Sequence, residues 1–313
     1  MSTRSLPESA TAGPPAGLAF AWLEVTGFCN LECHHCYADS SPQGTHGTMS
    51  VGDWITCIDQ LAAMGTQDVQ FIGGEPLLYP HLKELVVHAR RAGLRVEVFS
   101  NLTVVSEELW EVFTEYGVTL ATSYYSDAPS EHDAVTARKG SHARTRSNIQ
   151  RAQELGLMLR GGVISVLPGQ RATEAHQDLK DLGLEVVGAD KMRAFGRAGR
   201  GAAPTVADLC GHCADGKVAI GPDGVVWPCV LGRFISMGNV KEASLADIWS
   251  GPATRRARSE VEAVHGNLPA RSCTPPQFLP MCGPCGPCVP SVAICDPRAA
   301  DAATIGAPGQ VES

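Results

Sequence analysis

Residues 18–40, LAFAWLEVTGFCNLECHHCYADS, run from an apolar β-type segment straight into three cysteines at the spacing Cys29-x3-Cys33-x2-Cys36. Similar apolar runs recur at DVQFI (68–72), LRVEVFS (94–100), VTLATSYY (118–125), LMLRGGVISV (157–166) and LEVVG (184–188). Between them lie stretches with helical periodicity near 50–64, 80–92, 106–116, 142–155 and 173–182. Strands alternating with helices argue for parallel βα units: an α/β fold, either curled into a partial (β/α)6 TIM-like barrel or laid out as an open sheet. In both forms functional groups collect at the carboxyl ends of the strands. The cysteine loop follows the first strand and so falls at that edge.

The chain has 313 residues, 44% hydrophobic and 19% charged, enough for a large α/β unit with a smaller appendage. A net charge of −8 offers no general electrostatic footprint for nucleic acid. No run of about 18 apolar residues could span a membrane. The opening MSTRSLPESATAGPPAG lacks the apolar stretch of a secretory signal, which places the protein in the cytoplasm. Residues 1–16 read as a disordered arm, and the Ala- and Gly-rich 299–313 as a frayed tail. GRAGRGAAPTVA (196–207) reads as a linker, dividing a unit at 17–200 from a cysteine-rich one at 208–298.

Twelve cysteines need a reason in a compartment that disfavours disulfides, where such spacings more often mean metal or catalysis. Three fall at 29–36, Cys57 stands alone on a helical stretch as a small buried apolar residue, and eight lie between Cys210 and Cys295. Three thiolates on one short loop can bind three irons of a cubane and leave the fourth open, whereas electron-transfer [4Fe–4S] sites supply four cysteines. Zinc bound by Cys33, Cys36 and one of His34, His35 or His46 satisfies the same spacing.

A second motif breaks the tie. FIGGEPLLYP (71–80) ends the second strand with Gly73, Gly74, Glu75 and Pro76. Glycines let backbone approach a ligand closely, and a carboxylate can accept from an ammonium. The two motifs together, in this order at successive strand ends, resemble the radical S-adenosylmethionine (radical SAM) superfamily. That resemblance implies a [4Fe–4S] cluster on Cys29, Cys33 and Cys36. Its open iron would be chelated by the amino and carboxylate groups of S-adenosylmethionine, with Gly73, Gly74, Glu75 and Pro76 near the amino group. Fainter similarities carry it through residues 18–200. Ser100 and Asn101 stand where relatives place Ser-Asn-Gly near the ribose, although Leu102 replaces the glycine. Ser123 falls late in the fourth strand, Arg138 corresponds to an arginine that reaches the ligand carboxylate, and Val163 and Ile164 would pack against adenine.

From Cys210, CGHCADGKVAIGPDGVVWPC, with the later GNV and LADIW, resembles the SPASM or twitch extension of the same superfamily, which carries auxiliary [4Fe–4S] clusters. Asp223–Gly224 between short apolar runs is a hairpin signal that would bring Cys213 and Cys229 together. Cys273, Cys282, Cys285, Cys288 and Cys295 each precede a proline by two positions. With Cys210, Cys213 and Cys229 they make eight, enough for two fully liganded cubanes. The run Cys282-x2-Cys285-x2-Cys288-x6-Cys295 departs from the usual SPASM ending, so one auxiliary cluster plus a free thiol is an alternative, with Cys273 as hydrogen donor. A zinc ribbon is the other alternative.

The resemblance implies an enzyme that cleaves S-adenosylmethionine reductively to a 5′-deoxyadenosyl radical and abstracts hydrogen from its substrate. The leading expectation is modification of a ribosomally made peptide by crosslinking, epimerisation or oxidation. Electrons would come from a flavodoxin- or ferredoxin-type donor. Because the first strand begins by about residue 18, the expectation is that a separate protein presents a leader peptide or that leader recognition is absent. The alternatives are a sugar or aminocyclitol epimerase or dehydrogenase with the same machinery, and a non-catalytic iron–sulfur or zinc protein.

Overall fold

The computed structural model describes residues 17–266. Cys273, Cys282, Cys285, Cys288 and Cys295 therefore lie outside the described residues, as do the expected terminal arm and tail. The elements are β1 (Phe20–Glu24), α1 (Val51–Ala63), β2 (Asp68–Ile72), α2 (Leu82–Arg91), β3 (Arg95–Phe99), α3 (Glu107–Tyr116), β4 (Thr119–Tyr124), α4 (Pro129–Thr136), α5 (Ser141–Glu154), β5 (Leu159–Ser165), α6 (Ala172–Asp181) and β6 (Val186–Lys191). After two short 3-10 turns come β7 (Lys217–Ile220), β8 (Val225–Trp227), β9 (Gly238–Asn239), α7 (Leu245–Ser250) and α8 (Pro252–His265).

One nine-stranded sheet runs in the order β6-β5-β4-β3-β2-β1-β7-β8-β9. Every pairing from β6 to β7 is parallel, and β7–β8 and β8–β9 are antiparallel. The six βα units form the partial barrel, with β7 laid in parallel register on β1, Leu23 opposite Ile220. The sheet thus runs unbroken across the boundary expected near 200–208.

Alternation along the strands separates two faces. Ala21, Leu23, Val25, Val69, Phe71, Val96, Val98, Leu120 and Val163 join Trp54, Ile58, Leu61 and Leu85 of the helices in the main core. Cys57 is part of this core and 1% exposed. The other face, inside the partial barrel, carries a small cluster of Phe20, Trp22, Ile72, Ala219 and Val230. It also carries charge: Arg160 makes two hydrogen bonds of 2.8 Å to Glu97, which also accepts from Gln70. All three side chains are buried, and Arg160 lies over the Phe99 ring at 5.7 Å.

Local signals explain most boundaries. Ser50 and Asp53 form a capping box that starts α1, and Ser106 caps α3. The sixth strand begins at Val186, two residues later than its apolar pattern suggests. Leu184 is spent instead on closing α6, its N–H donating to Leu179 O after Gly183 turns at φ 93°. Helix α4 has little apolar periodicity and is marked chiefly by Pro129 at its first position. The expected linker at 196–207 holds both 3-10 turns, Gly196–Gly199 and Val206–Asp208.

The buried Glu97–Arg160 pair predicts a mutational asymmetry. Glu97→Leu alone strands the guanidinium and should lower unfolding stability by about 3–5 kcal/mol, whereas Glu97→Leu with Arg160→Met should recover most of that loss in urea melts. Additive losses would mean the two charges are not coupled.

Candidate functional site

The loop after β1 is held from several sides at the carboxyl edge of the sheet. Gly74 N donates to Thr26 O at 2.6 Å and Glu75 N to Phe28 O at 2.8 Å, fastening the turn after β2 to the turn after β1. The approach is so close that a Cβ at Gly73 would stand 2.5 Å from Thr26 O, and one at Gly74 would overlap the Phe28 carbonyl. Both glycines are thus required by the protein's own backbone at this joint. On the far side, Glu32 N and His34 N donate to Thr136 O and Val135 O at the end of α4.

Arg197, inside the expected linker, forms a further tie. Its backbone N–H donates to Cys36 O at 2.9 Å, and its guanidinium to Cys33 O at 2.6 Å and Ser40 O at 2.8 Å. It also pairs with Asp39 at 3.2 Å. Gly196, at φ 53°, lets this turn lie directly on Cys36 and Tyr37, whose carbonyls would meet a Cβ there. Composition hid this role, because a Gly- and Ala-rich stretch reads as a connector. The alternating arginines were the available signal.

Cys29 is buried, Cys33 and Cys36 are half-buried, and none forms a disulfide. Leu31 N donates to Cys29 Sγ at 3.4 Å, Ser40 N to Cys36 Sγ at 3.3 Å, and Asn101 Nδ2 approaches Cys29 Sγ at 3.9 Å. N–H groups aimed at sulfur suit thiolates that ligate a cluster. Burial, then the Glu75 charge, pushes the Cys29 thiol up to about 12. Burial and the neighbouring Cys36 and Cys29 also raise Cys33. Thiols so biased become thiolates only against a strong positive charge. Three thiols on one short loop, outside any disulfide and with N–H groups directed at two of them, supply one ligand to each of three irons. The donor set therefore fits a cubane.

Glu75 is 1% exposed, and its carboxylate accepts from Leu77 N, Ser100 Oγ and Asn101 N at 2.7–3.0 Å. It joins the ends of β2 and β3, leaving one of its roughly four lone-pair positions for a ligand. Burial, opposed by these hydrogen bonds, pushes its carboxyl up to about 7. Pro76 begins the short turn that this carboxylate caps. Asn101 Nδ2 donates to Asn30 Oδ1 at 3.0 Å, and Asn30 Nδ2 donates to Thr103 Oγ1 at 2.7 Å, tying the cysteine loop to β3. Leu102 sits at φ 51°, a conformation glycine adopts freely. The strain of about 1–2 kcal/mol is offset by full burial of the side chain, about 1.5–3 kcal/mol.

The remaining expected residues divide. Ser123 is half-buried near the end of β4, and Ile164 is 2% exposed on β5. Ile164 lines a small cleft with His35, Tyr37, Met192 and Leu231, beside the cysteine loop. The Nδ1 atom of His35 is buried there with no hydrogen-bond partner among the described residues. Burial, then neighbouring His34, lowers its ring to about 4, so it is neutral. Arg138 is exposed in the turn after α4.

The second cysteine group also gathers. Cys213 Sγ lies 3.6 Å from Cys229 Sγ across the β7–β8 hairpin, and hydrogen bonding to Cys210 and Cys229, with burial, raises the Cys213 thiol. Sequence reasoning missed Arg233, which joins the two groups. Its guanidinium pairs with buried Glu24 at the end of β1 and lies over Tyr37 at 5.3 Å and Trp227 at 4.8 Å. Tyr37 packs with Phe195, Leu209, Cys213 and Cys229.

Residues 23–182 match the model of the radical SAM superfamily, and residues 210–288 match that of an iron–sulfur cluster-binding domain, SPASM. The chain is 26% identical to the antilisterial bacteriocin subtilosin biosynthesis protein AlbA of Bacillus subtilis, over 75% of this chain and 60% of that protein. It is 27% identical to the sporulation killing factor maturation protein SkfB of the same organism, over 73% and 64% respectively. It therefore spans less than two thirds of the length of these two relatives. The crystal structure of Streptococcus suis SuiB bound to the precursor peptide SuiA superposes with a TM-score of 0.66 at 16% identity, covering 78% of this chain and 67% of that one.

Two outcomes follow from the geometry. Arg197→Ala frees one edge of the cysteine loop and should lower iron retained after anaerobic reconstitution at least twofold, with far-ultraviolet dichroism unchanged; wild-type retention would mean the clamp is idle. The Glu75 carboxyl lies near 7 when folded against an ordinary 4.5, so its contribution to stability is complete below about pH 4.5 and is lost as pH rises through 7. Urea midpoints of Glu75→Gln should accordingly change less between pH 4.5 and 7.5 than those of the parent, and equal slopes would refute the assignment.

Proposed function

The chain belongs to the radical SAM superfamily, and we propose that it is a peptide-modifying radical enzyme whose catalytic cluster is held by Cys29, Cys33 and Cys36. The observation that carries this reading is the loop itself: three thiols with N–H groups directed at Cys29 and Cys36, fixed to the Gly-Gly-Glu turn at the carboxyl edge of the sheet. When bound, the [4Fe–4S] cluster and S-adenosylmethionine supply an electron and a sulfonium, whose cleavage yields the 5′-deoxyadenosyl radical that abstracts hydrogen from substrate.

The residues of the chain bind, orient and shield. Gly73 and Gly74 bring the β2 turn against the cysteine loop, whose Cys29, Cys33 and Cys36 would hold the cluster, and the backbone hydrogen bonds there fasten the two turns together. The remaining acceptor capacity of Glu75 serves the ligand's ammonium. Ser100 and Asn101, already ordered by Glu75, present the end of β3 to the ribose side, with Ser123 next along the sheet. Arg138, on the turn after α4, is assigned to the ligand carboxylate. Ile164, which lines the cleft beside the cysteine loop, is assigned to the adenine, whereas Val163 faces the main core between sheet and helices and cannot share that role; the His35 Nδ1 atom is a polar point in the same cleft that a ligand group can satisfy. Buried Glu24 at the end of β1 pairs with half-buried Arg233, which links this site to the auxiliary segment.

Cys210, Cys213 and Cys229 are assigned to an auxiliary cluster, with Cys282, Cys285, Cys288 and Cys295 as its further ligands or those of a second one, and Cys273 as a ligand or hydrogen donor. Peptide modification is supported by relatives named for bacteriocin biosynthesis and killing-factor maturation, and by the SuiB structure with its precursor peptide. A separate leader-binding protein and an external single-electron donor complete the proposed system. Among the described residues no helix is long and apolar enough to cross a membrane.

Anaerobically reconstituted protein with dithionite should convert S-adenosylmethionine to 5′-deoxyadenosine and methionine. Cys29→Ala should abolish this and remove about four irons per chain while sparing the auxiliary iron. Unchanged turnover in Cys29→Ala would overturn the assignment.

A further inference from the structure

Resting on the radical reading, we propose that Arg233, supplied by the auxiliary segment, sets the reduction potential of the cluster at Cys29, Cys33 and Cys36. It does so by holding a fixed positive charge beside Cys36. Arg233 is seated from four sides. Its Nε donates to Val230 O at 3.1 Å, and its guanidinium pairs with the buried carboxylate of Glu24. It lies over the Trp227 ring at 4.8 Å and the Tyr37 ring at 5.3 Å. Tyr37 follows Cys36 directly in the chain, so the ring contact fixes the cation relative to that thiol.

The field across the cysteine loop is uneven. Glu75 is the anion acting on Cys29. Arg197 donates to Cys33 O at 2.6 Å and is paired with Asp39 at 3.2 Å. Arg233 faces Cys36: burial opposes its charge, but Glu24, Tyr37 and Cys36 outweigh burial, so the guanidinium stays a cation. The Cys36 sulfur acts on Arg233, whereas the charge acting on Glu24 is that of Arg233, so the pair presents its positive member to the loop. Burial raises the Glu24 carboxyl against the pull of Arg233. A proton taken up there leaves the pair more positive, so the sign of the field at Cys36 is the same in either state.

Reducing a [4Fe–4S] cubane adds one electron from an external reductant and forms no bond, so the thiolate-bound core becomes more negative by one charge. Its potential therefore follows the charges and hydrogen bonds around its sulfurs. A cation fixed beside one ligand favours the reduced form. Enclosed by two rings and a buried carboxylate, this one is screened little by water or salt. The Ser40 N–H, which donates to Cys36 Sγ at 3.3 Å, acts in the same direction on the same sulfur. The auxiliary segment thus makes the radical-generating cluster easier to reduce through one side chain.

The test uses the full chain, reconstituted anaerobically, with iron counted and the cluster followed by electron paramagnetic resonance through a dithionite redox titration. The signal lost in Cys29→Ala identifies the cluster. Arg233→Gln removes the charge and leaves an amide for Glu24. It should lower the ratio of reduced to oxidised cluster at a fixed solution potential about tenfold, or ~59 mV for one electron. Arg233→Lys keeps the charge and should recover most of that shift. Because Arg233→Gln leaves Glu24 without its cation, the change is repeated in a Glu24→Gln background, where amide faces amide and the fall should persist. Iron per chain should match the parent throughout. A potential unchanged or raised by Arg233→Gln in the Glu24→Gln background would overturn the proposal, as would Arg233→Lys behaving like Arg233→Gln. Iron lost alike in the Lys and Gln variants would make the residue structural and would also overturn it. A parent without any cluster signal that depends on Cys29 would instead overturn the radical reading itself.

Discussion

The contact on which the rest of the site depends is the joint between two turns, where Gly73 and Gly74 press against the carbonyls of Thr26 and Phe28. It fixes the cysteine loop to the sheet at a point no side chain could occupy. The loop has no helix or strand of its own beyond a single bridge between Phe28 and Ser41, so much of its shape comes from such outside ties. Fixing the backbone of each loop residue costs about 1–2 kcal/mol of entropy. Hydrogen bonds from the β2 turn, the end of α4, Asn101 and Arg197 offset that cost before any cofactor binds. The three cysteines are accordingly placed by the fold.

This placement links the two cysteine groups. Because β7 pairs with β1, the auxiliary hairpin grows from the strand that precedes the cysteine loop. Arg233 then bridges back, neutralising Glu24 and covering Tyr37, the residue after Cys36. A guanidinium so enclosed holds a fixed distance between elements better than apolar packing alone, since it is satisfied only when the carboxylate and both rings are present. The partial barrel and the cysteine-rich segment share a wall.

Much of this was legible in the sequence for physical reasons. Strand runs such as DVQFI and LRVEVFS were plain because parallel strands are buried on both faces and lack competing polar positions. The hairpin at Asp223–Gly224 was plain because glycine there must turn, and it does, at φ 84°. What stayed hidden were roles set by long-range partners. Gly73 and Gly74 suggested approach to a ligand, yet the neighbour they meet is the chain's own loop. Glu75 suggested an ammonium partner, yet three of its hydrogen bonds go to β3 and its own turn. Arg197 and Arg233 were hard to read because the Ser40 carbonyl and the Glu24 carboxylate that they bind lie 157 and 209 residues away. Helix α4 hid because its capping proline resembles a loop residue and its apolar pattern is faint.

The central claim is that three thiolates leave one iron open to S-adenosylmethionine. Electron–nuclear double resonance on reduced protein with S-adenosylmethionine labelled by 15N at its amino group addresses this most directly. A Cys210→Ala, Cys213→Ala variant would reduce the auxiliary signal. The account predicts a 15N coupling to a cubane that disappears in Cys29→Ala. A fully liganded cluster without that coupling, or zinc bound at Cys33 and Cys36, would contradict it.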